Sequence, residues 1–104
     1  MAQFDVYENT NPETRKTIPC LLDIQADLLD NLATRVVVPL INASLMGKAA
    51  QHLNPQFKIK RNVLVMSTAE LAGVSVNILG VKIYSLKDRR DEIIAALDFL
   101  FTGI

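Results

Sequence analysis

The sequence contains no tryptophan, a single cysteine and a single histidine, and aromatic residues make up only 6% of it. A lone cysteine, Cys20, cannot form an intramolecular disulfide, which points to a reducing compartment. Neither Cys20 nor His52 sits at metal-ligand spacing, and the two cannot build a zinc site without carboxylates. No segment approaches the roughly 20 apolar residues that span a bilayer as a helix. The opening MAQFDVY lacks the basic start and apolar run of a signal peptide, so a cytoplasmic protein without membrane contact is expected. An excess of one charge is missing too. Lys+Arg and Asp+Glu both number 11, whereas a domain gripping nucleic acid along its phosphates normally shows a basic surplus. The chain also lacks a Gly-rich phosphate loop, a Ser-His-Asp set and a dinucleotide fingerprint.

What is present suits one globular domain spanning 1–104. Hydrophobic residues make up 50% of the 104 positions and charged residues 21%, a composition that can bury a core. The first two thirds carry a period of two. In QFDVY, Phe4 and Val6 alternate with Gln3, Asp5 and Tyr7. In TIPCLLDIQ, Ile18, Cys20, Leu22 and Ile24 point one way while Asp23 and Gln25 point the other. Pro19 and Pro39 belong near strand ends or edges. RVVVPLI and GVSVNIL read as further strands, the latter with Val74, Val76 and Ile78 on one face. QFKIK and VLVMST flank a tight turn at Arg61-Asn62. ADLLDNLAT breaks the alternation into a turn or short helix that leaves Leu28 and Leu29 near the surface, and NASLMGKAAQHL offers one or two helical turns.

The last segment changes period. Ser85 and Asp88 have capping-box spacing. At about 100° per residue, Leu86, Ile93, Leu97, Leu100 and Phe101 fall on one side of a helix, with Ile94 at the border. Phe99 falls instead on the side of Asp88, Glu92 and Ala95. Gly103 stands where a left-handed cap ends a helix. An aromatic and a branched aliphatic, Phe101 and Ile104, then occupy a position where soluble chains usually carry small polar groups.

Candidate chemistry is thin. A nucleophilic Cys–His pair would have to be Cys20 and His52, but Cys20 lies on the apolar face of a strand, where a thiol behaves as a small hydrophobe. Asp23, Asp27 and Asp30 form a carboxylate cluster that reads better as a solvated loop, with Asp27 or Asp30 capping a turn, than as a cation site. KIKR at 58–61, with Arg35, would suit RNA, yet Lys58 and Lys60 on one face equally describe an edge strand protected by lysines. No catalytic residue, cofactor or metal is expected, and the chain reads as a binding protein.

QFDVY at 3–7, LLDIQADLLD at 21–30, TRVVVPL at 34–40, MSTAELAGVSVNILG at 66–80 and RDEIIAALDFLFTGI at 90–104 together resemble, in order and spacing, the CcdB family. These are toxins of type II toxin–antitoxin modules, plasmid and chromosomal, that poison DNA gyrase. The resemblance implies a mainly β fold of SH3-like barrel type, an antiparallel sheet with a small secondary sheet, one C-terminal helix, and a homodimer. It implies three partners: the gyrase A subunit, a cognate antitoxin that also serves operon autorepression, and a second copy of the chain. DNA would be met only through gyrase or the antitoxin. Carried over by position, the gyrase-binding residues are Leu28, Leu29, Asp98, Phe101, Thr102, Gly103 and Ile104. The best-known member has tryptophan where Thr102 stands, asparagine where Asp98 stands, proline where Ser75 stands, and isoleucines in place of the leucine pair. Two other readings compete: a MazF-like endoribonuclease on the same fold, using Arg35, Lys58, Lys60 and Arg61, and a homologue that keeps antitoxin binding without poisoning gyrase.

Overall fold

A computed structural model describes residues 2–47 and 52–103. Seven strands form one curled antiparallel sheet: β1 Asp5–Asn9, β2 Cys20–Asp23, β3 Thr34–Asn42, β4 Gln56–Ile59, β5 Asn62–Met66, β6 Ala72–Ser75 and β7 Leu79–Ser85. The order is β4-β5-β3-β2-β1-β7, and β6 branches off to pair with β3. The small secondary sheet is this branch. Helices α1 Ala43–Met46 and α2 Arg90–Thr102 complete the fold.

β3 organises the sheet. One of its edges pairs with β2 through Cys20↔Leu40 to Asp23↔Val37. The other edge is shared: Thr34–Val37 pair with β6 and Leu40–Asn42 with β5. Pro39 lies in the gap between these partners. Its carbonyl accepts from Ser67 N at 3.0 Å, so its missing N–H falls on the same edge, where neither strand pairs with it. A proline in a central strand is thus accommodated by the change of partner.

The main core gathers the side chains that the period of two selects. Phe4, Val6, Cys20, Leu22, Val38, Leu40, Phe57, Ile59, Leu64 and Met66 join Leu86, Ile93 and Ala96 from the C-terminal segment. The opposite face of β1 to β3 departs from expectation, because it is not solvated. Asp5, Tyr7, Asp23, Gln25 and Arg35 are all buried there, Asp23 and Arg35 at 0% exposure. Arg35 binds Asp23 Oδ2 through Nε at 2.9 Å and through Nη2 at 2.6 Å. Lys82 closes over Asp5 at 3.2 Å, and the Tyr7 hydroxyl lies 3.4 Å from Asp5 Oδ2. Burial, with Asp5 and Asp23 nearby, pushes the Tyr7 hydroxyl up to about 12. Burial likewise raises the Asp23 carboxyl, while Arg35 and the Gln25 N–H pull against it.

Several boundaries shift for local reasons. Phe4 is not the first strand residue but a left-handed one, φ 72°. That conformation lets its N–H reach Asp23 O at 2.6 Å and its carbonyl accept from Leu86 N at 2.8 Å. The β4–β5 turn is Lys60-Arg61, one residue earlier than expected, because Ile59 pairs with Asn62 and Lys60 takes the positive φ of 58°. β4 is an edge strand carrying the exposed Lys58, as the protective reading of KIKR supposed. The strand expected through Ile78 stops at Ser75, whose Oγ accepts from Asn77 N at 3.2 Å and starts a 3-10 turn. β7 follows as an edge strand not anticipated by alternation, since Val81 and Tyr84 are exposed and its register with β1 slips twice. Gly80 is needed there: a Cβ would come within 3.0 Å of Glu8 and Thr10.

Candidate functional site

The helix that carries most of the expected site begins without the predicted capping box. Ser85 Oγ accepts from Lys87 N at 3.4 Å, a 3-10 turn covers Lys87–Arg89, and α2 starts at Arg90 with no side-chain cap. Arg89 instead makes a two-pronged pair with Glu92, at 2.6 and 2.8 Å, which lowers the Glu92 carboxyl and raises the guanidinium. Both side chains are about half exposed, so the pair adds little stability. The Arg89 guanidinium also lies 5.0 Å over the Phe57 ring.

The buried stripe of α2 is narrower than the sequence suggests. Ile93 and Ala96 are buried, and Ile94 and Leu97 pack against the core from its margin. Phe101, expected on this stripe, is 71% exposed. It lies about 80° from Ile93 at 100° per residue, on the last turn, where the core cluster has already ended. Asp98, Thr102 and Gly103 are exposed beside it. Gly103 is left-handed, φ 73° and ψ 18°, and its N–H bonds Phe99 O at 2.9 Å, as the cap reading requires. The Thr102 hydroxyl donates to Asp98 O at 2.6 Å. No basic residue stands in the last turn, so the negative end of the helix and Asp98 reinforce one another. Ile104 lies outside the described residues.

Leu28 and Leu29 sit on a 3-10 turn, Asp27–Leu29, and are 94% and 47% exposed. Leu32 follows at 48%, a third surface aliphatic that the resemblance did not single out. Asp27 does not cap the turn: its Oδ1 accepts from Gln3 N at 2.7 Å. Among the described residues no hydrogen bond or ion pair joins this turn to α2. The expected contact residues therefore form two exposed patches, each held by its own bonds.

The other candidates are dispersed. Cys20 is sealed in the core, where burial, aided by Glu8, pushes its thiol up to about 11. His52 is exposed and stacks on Phe99 with ring centroids 6.1 Å apart, so no Cys–His pair is assembled. Sequence reasoning missed this stack because 47 residues separate partners of different secondary structure. Asp23 is consumed by Arg35, and among the described residues no cluster of three or more His, Cys, Asp or Glu could hold a metal ion. Arg35 is buried and ion-paired, out of reach of a phosphate. No helix among the described residues is long and apolar enough to cross a membrane.

The chain is thus a small domain of one curled β-sheet closed by a C-terminal helix, with exposed apolar groups at the helix end and on the Asp27–Leu29 turn. Residues 3–103 match the family described as CcdB protein, and the chain belongs to that family. It is accordingly a toxin of a toxin–antitoxin module.

Proposed function

We propose that the chain kills by binding the A subunit of DNA gyrase and trapping the gyrase–DNA cleavage complex. The observation that carries this reading is the end of α2, where Phe101 is 71% exposed next to exposed Asp98, Thr102 and Gly103. Large apolar groups without a partner in the free protein supply binding energy when a partner buries them. By its resemblance to the family, this surface, with Ile104 and the Leu28–Leu29 pair, is the gyrase contact in this reading. Such a toxin makes no covalent bond. It binds one conformation of gyrase better than the others and shifts the equilibrium by that difference. Homodimerisation presents two helix ends together, and a cytoplasmic antitoxin removes the toxin from gyrase and represses the shared operon with it.

Expression in cells with wild-type or family-resistant gyrase A tests the reading, which fails if killing is equal in both. Removing Thr102, Gly103 and Ile104 sharpens the test. Trapping should be lost while melting falls only slightly, because Thr102 and Gly103 are exposed and lie outside the core cluster. The endoribonuclease alternative loses one of its four candidate cations with Arg35 buried, and RNA cleavage by the purified protein would revive it. A homologue that binds antitoxin alone would leave both cell lines alive.

A further inference from the structure

The Leu28–Leu29 turn poses a physical problem. None of its residues is buried, so no packing holds it, yet Leu28 stands 94% exposed at a fixed place. Polar ties must position it: Asp27 at its start accepts from Gln3 N at 2.7 Å, and the ties to its leucine end converge on Gln25, which is only 6% exposed. The Gln25 N–H donates to Asp23 Oδ1 at 2.9 Å, and its carbonyl accepts from Arg35 Nη2 at 3.4 Å. Its side-chain Oε1 accepts from Val36 N at 2.9 Å, while Nε2 donates to Leu29 O at 2.9 Å. A buried amide is costly unless its groups are satisfied, and here both ends are. One end grips the central strand β3 and the other grips the last residue of the turn. The same Leu29 carbonyl accepts from Leu32 N at 3.2 Å. The chain of bonds thus runs from the buried Asp23–Arg35 pair through Gln25 to the surface leucines.

We propose that Gln25 is a positioning residue for partner binding: it fixes the Leu28–Leu29 turn in its binding geometry without touching the partner. Holding the turn in advance spares the complex the cost of ordering it. This rests on the reading of Leu28 and Leu29 as gyrase contacts, and the test separates the two ideas. Gln25→Met keeps length and burial but removes both side-chain bonds. Gln25→Glu keeps an acceptor for Val36 N and removes the donor to Leu29 O. Binding to purified gyrase A subunit, thermal melting, and amide exchange at Leu29, Asp30 and Leu32 are measured for each. Both variants should weaken binding about tenfold, the worth of roughly one well-placed hydrogen bond. Exchange should quicken in the turn for both variants, and in β3 only at Val36, whose N–H loses its acceptor in Gln25→Met. In a background of Leu28→Ala with Leu29→Ala, Gln25→Met should cause no further loss, since its only route to the partner is gone. Near-wild-type binding by both Gln25 variants, with the leucine variant weakened, overturns the positioning role and leaves the contact reading standing. Wild-type binding by the leucine variant overturns both. Should Gln25→Met not fold, Gln25→Glu decides.

Discussion

Replacing Arg35 by methionine isolates what the buried ion pair contributes. The substitution keeps the length of the side chain but leaves the Asp23 carboxylate at 0% exposure without its countercharge. Breaking a buried pair in this way costs about 3–5 kcal/mol, out of the roughly 5–15 kcal/mol available to a domain of this size. Asp23→Leu alone strands the guanidinium and should cost a similar amount. The double variant removes both charges. It forfeits the bonds from Gln25 N–H to Asp23 and from Arg35 to Gln25 O, about 1 kcal/mol each. Against this it eliminates Arg35 Nη1, a buried donor with no hydrogen-bond partner among the described residues, itself worth about 1–3 kcal/mol. The two nearly cancel, so the double variant should lie within about 2 kcal/mol of wild type, far above either single. Urea denaturation followed by circular dichroism at one fixed protein concentration measures all four corners of the cycle. Additive singles would show that the two charges do not depend on each other and would refute the reasoning.

Ile93→Ala should destabilise by about 2–5 kcal/mol through lost transfer energy and a cavity, and Leu97→Ala by less, because Leu97 lies at the margin of the core; equal denaturation midpoints for the two would show the stripe is misplaced. Phe101→Ala should leave the midpoint unchanged while abolishing gyrase trapping. Cys20 should resist a thiol-specific chromogenic reagent in the native state and react at once in denaturant. Its folded thiol, at about 11 against 9.0, holds a proton that the unfolded chain releases. Stability should therefore be intact below about pH 9 and fall as pH rises toward 11, with Tyr7 adding to the loss above 10; a flat alkaline profile would contradict both assignments. Gly103→Ala should lower stability by about 1 kcal/mol from the positive φ alone, since a Cβ there meets nothing within 4 Å.

How much of this was legible depends on which signal each residue left. Phe4, Val6, Cys20 and Leu22 announce the main core because their alternation is regular. The Gly103 cap and the exposed leucine turn were also readable, the first from a glycine ending a periodic run and the second from a break in alternation. Asp5, Tyr7, Asp23, Gln25 and Arg35 were not. Polar residues at alternate positions look like a solvated face, and only their tertiary pairing shows that they form a second, polar interior. Phe101 was misplaced for a related reason: periodicity gives the direction of a side chain but not where the surface beneath it ends. β7 escaped because an irregular edge strand with exposed Val81 and Tyr84 carries no clean period.

The pairing of β1 with β7 sets an order on how the molecule can be made. Asp5 lies opposite Ser85, so β1 waits for a strand some 80 residues further along the chain before the sheet can close. Leu86, whose N–H seats on Phe4 O, then brings in α2, and with it Ile93 and Ala96 complete the core. A growing chain therefore displays its leucine turn on an unfinished scaffold, while the helix end has yet to be made. Both patches stand on one folded scaffold only once β7 and α2 have joined the sheet.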